Sequence, residues 1–141
     1  MPELVVDGRK IAQDGAAYVI AEIGHNHQGD IEKAKALVHA AKECGVDAVK
    51  LQKRDNRTMF TKEMFDSPYV HRNSYAPTYG EHREKLEFTK AQHLELIAHA
   101  RKIGITFFST AFDIPSADFL ADLDMPAYKI ASGDTINAQD L

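Results

Sequence analysis

Three charged side chains stand where charge is costly. Glu22 interrupts the apolar run Tyr18-Val19-Ile20-Ala21-Glu22-Ile23, Lys50 interrupts Ala48-Val49-Lys50-Leu51, and Lys129 sits within Tyr128-Lys129-Ile130-Ala131. Such runs have the pattern of strands buried on both faces of a parallel sheet. A charge there must meet a counter-charge, a ligand or a cavity. Gln52 lies two residues beyond Lys50 and must share its face. The run 106–110 supplies the hydroxyls of Ser109 and Thr110, and Ser132 follows Lys129. Two ammonium groups with Thr110 and Ser132 suit a small polyanion, a phosphate or a carboxylate, whose acceptors meet every donor. The single carboxylate in that company, Glu22, is a candidate acid or base, or a partner for sugar hydroxyls. The competing reading is a buried Glu22–lysine salt bridge that only stabilises a sheet. One charge in each of three strands, at equivalent depths, favours a binding site instead.

The elements that must position these residues alternate. A hairpin over residues 4–15, with Asp7-Gly8 as its two-residue turn, comes first. The first buried strand covers 18–24, and Asp30 is a good N-cap for a helix from Ile31 to Cys44, which Gly45 stops. A second strand covers 48–52. From Lys53 to Phe88 no period holds, and Pro68, Pro77, Gly80 and three tyrosines (Tyr69, Tyr75, Tyr79) read as a packed excursion or lid. Thr89 and Gln92 form a capping box that opens a second helix, running to Gly104. A strand over 106–110 follows, then a short helix opened by Asp113 and Pro115, then a strand over 128–132 and a polar turn, Gly133-Asp134-Thr135. A further helix is expected to begin at Leu141. The order is α/β with right-handed crossovers. An open doubly wound sheet and a (β/α)8 barrel compete, and 141 residues would make roughly half of the latter.

Composition narrows the function classes. A net charge of -4, with no lysine-arginine block among aromatics, argues against nucleic acid. Apolar runs are only strand-sized, so none would span a membrane. The start Met1-Pro2-Glu3-Leu4 lacks the basic segment and apolar core of a secretion signal. Cys44 is the only cysteine, which excludes an internal disulfide and fits a reducing, cytoplasmic location. Other polar residues are weaker candidates. His25 and His27, at i and i+2, point opposite ways on an extended chain, so a shared metal is disfavoured, and His27 reads as bonding its turn or lining the pocket. His39, His93 and His99 read as solvated helix positions. His71, His82 and the cluster Tyr79-Gly80-Glu81-His82-Arg83 read as loop packing or substrate contact, and Asp113 as a cap.

At these residues the chain resembles the sialic acid synthase family, the N-acetylneuraminate synthases with their legionaminic and pseudaminic relatives. The matching stretches are Ala21-Glu22-Ile23-Gly24 with Asn26-His27 and Gly29, Ala48-Val49-Lys50-Leu51-Gln52, Phe108-Ser109-Thr110 with Phe112-Asp113, and Tyr128-Lys129-Ile130 with Ser132-Gly133. The resemblance implies the N-terminal half of a (β/α)8 barrel that condenses phosphoenolpyruvate with an N-acylated hexose such as N-acetylmannosamine. The products would be a nine-carbon 2-keto acid and phosphate. It implies that Lys50 holds the phosphoenolpyruvate carboxylate with Thr110 nearby, that Lys129 and Ser132 hold its phosphate, and that Gln52 and His27 contact substrate. Glu22 would act in proton transfer at the acceptor. It further implies a homodimer and a divalent metal, Mn2+ or Mg2+, whose ligands lie on later strands, beyond this chain, as does a C-terminal antifreeze-like domain. His25 and the run Lys53-Arg54-Asp55-Asn56-Arg57-Thr58 depart from the family pattern. Two alternatives stand beside this: a catalytically silent fragment that binds an anion or assembles with itself, and a Schiff-base aldolase using Lys50 or Lys129.

Overall fold

The computed structural model describes residues 4–136. Strands β1 (Leu4–Val6) and β2 (Arg9–Ile11) form an antiparallel hairpin with Val6 opposite Arg9, so that Asp7-Gly8 is the turn. A parallel four-stranded sheet follows, from β3 (Ile20–Gly24), β4 (Ala48–Lys53), β5 (Thr106–Ala111) and β6 (Tyr128–Ile130). Their spatial order is β3-β4-β5-β6. A doubly wound sheet would reverse direction at a switch point. Within the described residues the order never reverses.

Three helices make the crossovers: α1 (Ile31–Glu43), α5 (Lys90–Ile103) and α6 (Ile114–Ala121). Right-handed connections that always step the same way put all three on one face of the sheet. There Ala34, Val38, Leu96, Ile97, Ala100 and Leu120 pack with Ile23, Val49, Leu51 and Phe107 into the main core. Each crossover helix is capped by a residue that the sequence marks. Asp30 accepts from the Glu32 and Lys33 N–H groups, Thr89 and Gln92 form the capping box, and Asp113 accepts from Ser116 N–H. The hairpin lies at the far end of the sheet from the strand C-termini. Arg9 pairs with Asp47 just before β4, and Asp7 accepts from Thr106 Oγ1 at 3.0 Å at the start of β5.

Between β4 and α5 the chain carries three short helices, α2 (Asn56–Met59), α3 (Lys62–Asp66) and α4 (Tyr79–Glu84), where sequence periodicity indicates none. Each spans too few turns to display a 3.6-residue repeat. Their caps are nonetheless visible: Asp55, Thr61 and Thr78 each accept a backbone N–H from the first turn. The segment is packed, with Phe65, Leu86 and Phe88 buried, and His82 is stacked on Tyr75 and tilted against Tyr69. Two further expectations are corrected. His93 is not solvated but 1% exposed, edge-on to Phe88 and Phe119. The last strand ends at Ile130, and Ser132 opens a 3-10 turn. The helix expected at Leu141 lies outside the described residues.

Candidate active site

The strand register arranges the chemistry in two rows. Glu22 is level with Lys50 and Phe108, while Gln52 is level with Thr110 and Lys129. Side chains two apart on a strand share a face, so these six side chains lie on the face opposite the crossover helices. The three charges are therefore not at one depth. Lys129 stands one row nearer the strand C-termini than Lys50, about 6.6 Å along the strand. Parallel pairing fixed by the crossovers produces this offset, and single-strand patterns do not contain it.

Lys50 is the centre of the site. It forms an ion pair with Glu22, and its ammonium donates to Thr110 Oγ1 at 2.5 Å. Lys50 is nearly buried, with 9% of its side chain exposed, whereas 48% of the Glu22 side chain is exposed. The salt bridge exists, but its Glu22 side stays open to solvent. Glu22 and Gln52 converge above Gly24: a methyl group there would lie 3.4 Å from Glu22 Oε1 and 3.5 Å from Gln52 Nε2. Gly24 also has φ +55°, so its lack of a side chain serves both the backbone and the close approach of these two side chains.

Lys129 and Ser132 occupy the last strand and the turn after it. Both are exposed, and the Lys129 ammonium rests on its neighbour's carbonyl, Ile130 O. The structure therefore leaves them beside the Glu22–Lys50–Thr110 group, not joined to it. His27 is 1% exposed, stacks on Phe88 at 4.1 Å, and its Nδ1 accepts from Gly29 N–H at 3.1 Å. Burial, helped by the neighbouring His25, pushes its pKa down to about 4. It braces the turn that follows β3.

A polar network that the sequence reading did not assemble surrounds this centre. Arg54, 8% exposed, donates from Nη1 to Gln52 Oε1 at 2.7 Å and lies over the Phe112 ring at 3.6 Å. The same Nη1 is 3.4 Å from His25 Nδ1, and His25 Nε2 faces Glu87 Oε1 at 3.3 Å. Glu87 also accepts from Lys53 Nζ at 2.9 Å and from Arg54 N–H at 3.3 Å. Burial opposes the Glu87 charge, but His25 and Lys53 hold its carboxyl below the usual range. Burial, with Arg83 nearby, pushes Arg54 down to about 10, still protonated at neutral pH. Asp113, besides capping α6, accepts from Asp55 N–H at 2.8 Å. Beside His25 opens a cleft of about 270 Å³, lined among others by Asn26, Tyr69, His71, Tyr75 and His82. Among the described residues no three His, Cys, Asp or Glu side chains are grouped so as to hold a metal ion. Nor is any helix there long and apolar enough to cross a membrane.

A half-exposed carboxylate thus stands beside a fixed ammonium on one face of a parallel sheet. The NeuB family model covers residues 37–141. The chain belongs to the NeuB family. It is 42% identical over 130 residues to the N-acetylneuraminate-9-phosphate synthase of Mus musculus, spanning 92% of this chain and 36% of that protein. It is 41% identical over 121 residues to the N,N'-diacetyllegionaminic acid synthase of Legionella pneumophila, spanning 85% of this chain and 34% of the other. The crystal structure of the N-acetylneuraminic acid synthetase of Leptospira borgpetersenii, solved in complex with citrate, superposes with a TM-score of 0.79 at 27% identity, over 98% of this chain and 44% of that one. The chain thus spans about a third of the length of the curated relatives it matches.

Proposed function

We propose that these βα units are the N-terminal half of a (β/α)8 barrel that condenses phosphoenolpyruvate with an N-acylated hexose of the N-acetylmannosamine type. The product is a nine-carbon 2-keto acid, with release of phosphate. The observation that carries this reading is Lys50 joined at once to Glu22 and Thr110, with the carboxylate left accessible. Such a group offers a fixed ammonium and hydroxyl to an anion, and an adjacent carboxyl to a reacting oxygen.

In the proposed reaction C3 of phosphoenolpyruvate bonds to the aldehyde carbon, water adds at C2, and phosphate departs to leave the keto group. Lys50 and Thr110 hold the phosphoenolpyruvate carboxylate. Lys129 and Ser132, one row further out, take its phosphate. Gln52 orients the acceptor, and the Glu22 carboxylate takes the proton that the water gives up on adding at C2 and passes it to the aldehyde oxygen as the carbon bond forms. His27 acts through the turn it braces. The proposed divalent metal, manganese or magnesium, would supply further stabilisation of developing charge. The described residues do not provide its site, so no step above runs through it. We place its ligands on residues other than those described, and the enzyme as a cytoplasmic homodimer. A Schiff-base mechanism fits Lys50 poorly: an amine that donates to Thr110 and pairs with Glu22 is held as the ammonium and is no nucleophile.

The test is calorimetric titration of the chain with phosphoenolpyruvate. Lys50→Met removes the ammonium and is expected to weaken binding about a hundredfold. Lys129→Ala, at an exposed position, is expected to weaken it about tenfold. Wild-type affinity in Lys50→Met would refute the site. Borohydride treatment with pyruvate is expected to leave the chain mass unchanged, which separates this reading from the aldolase.

A further inference from the structure

We propose that Arg54 is a positioning residue that locks the Gln52 side-chain amide, so that Gln52 presents hydrogen-bond donors, not an acceptor, on the side of Glu22 and Gly24. A guanidinium carries only donors, so the amide atom it meets must be the carbonyl oxygen. Arg54 Nη1 lies 2.7 Å from that oxygen. The Gln52 NH2 group is then the end left near Gly24 and Glu22, the placement seen at Nε2. A glutamine free of Arg54 could present either end, since amide rotation costs it little.

Arg54 is itself held on three sides. Its guanidinium lies over the face of Phe112 at 3.6 Å, an arrangement favourable for a cation on a ring quadrupole. Its Nη1 also approaches His25 Nδ1 at 3.4 Å. Because the guanidinium can only donate, His25 Nδ1 must accept, which places the imidazole proton on Nε2, 3.3 Å from Glu87 Oε1. Glu87 in turn receives Arg54 N–H and Lys53 Nζ. The end of the helical excursion, the turn after β3 and the end of β4 therefore converge on a single amide orientation. The consequence for catalysis rests on the synthase reading: two N–H donors facing Glu22 suit the acceptor's carbonyl oxygen, which gains negative charge as the carbon bond forms. The orientation of the amide does not depend on that reading.

The experiment uses the chain labelled with 15N. In the wild type, nuclear Overhauser contacts are expected from the Gln52 side-chain NH2 protons to the Gly24 Hα protons. Arg54→Met keeps an apolar stem over Phe112 but removes the donors, and the contacts are expected to vanish. Arg54→Lys retains a donor and is expected to restore them. Titration with N-acetylmannosamine should show about tenfold weaker binding in Arg54→Met. Phosphoenolpyruvate affinity should stay unchanged, a split that general loosening of the fold would not produce. Gln52→Glu keeps the contact to Arg54 while exchanging the NH2 for an acceptor, and should lose sugar affinity likewise. Gly24 contacts that persist in Arg54→Met overturn the lock, and wild-type sugar affinity in Gln52→Glu overturns the donor role. Should the wild type show the contacts but bind no N-acetylmannosamine, the lock stands and the synthase reading falls.

Discussion

Acid should unfold this protein through His27 before it protonates the carboxylates. The imidazole is 1% exposed, packed on Phe88, and its pKa is pushed down from 6.5 to about 4 by burial and then by the charge of His25. Its Nδ1 is already used as the acceptor for Gly29 N–H, so protonation there would break that bond and leave two donors facing each other. A histidine depressed in the folded state binds its proton more readily when unfolded. Its contribution is therefore intact above pH 6.5 and is lost progressively as pH falls towards 4. The depression corresponds to about 3 kcal/mol in full, of which about 2 kcal/mol is lost by pH 5. Urea unfolding followed by circular dichroism at pH 7 and pH 5 should show at least that loss. His82 and His93 are depressed in the same direction, first of all by burial, and add to it. The His27 share is isolated by following its Hε1 proton with pH in the folded chain. His27→Gln, which keeps an acceptor for Gly29, should flatten the pH dependence. A folded-state His27 titrating near 6.5, or a slope unaltered in His27→Gln, would refute the reasoning.

Three further outcomes test the frame around the site. Gly29 has φ +76°, and a side chain there would run into the Lys85 carbonyl oxygen, so Gly29→Ala is expected to cost about 2–3 kcal/mol in urea unfolding and to raise hydrogen exchange in the excursion. Thr89→Ala removes half of the capping box of α5 and should cost about 1 kcal/mol, measured the same way. Thr110→Val keeps the shape of that side chain but deletes the acceptor of Lys50, and should weaken phosphoenolpyruvate binding about tenfold in calorimetry with the Glu22 ion pair retained.

What could be read in advance from the chain divides along a physical line. Strands β3 to β5, helices α1 and α5, their caps and the hairpin turn are written in local pattern, because each is long enough for its period or is marked by a capping residue within three positions. Glu22, Lys50, Gln52 and Thr110 were legible as a group because a polar residue in a buried strand advertises its own cost. The offset of Lys129 by one row was not, since it is a property of pairing between strands and not of any one strand. Arg54 and Glu87 lay in a stretch whose helices are four to six residues long, and their partners stand far off in sequence: His25 is 29 residues from Arg54, and Glu87 is 33. An arginine in such a stretch reads as solvated by default. Its burial follows only once Phe112 arrives from the loop after β5 to take the guanidinium face. The long connection after β4 thus does more than link a strand to a helix. By ending on Glu87 it returns a carboxylate to the mouth of the sheet, and that carboxylate decides where His25 and Arg54 can stand. Shortening the connection while leaving every strand residue in place should accordingly disturb Gln52 before it disturbs Lys50, whose own partners, Glu22 and Thr110, are supplied by the sheet alone.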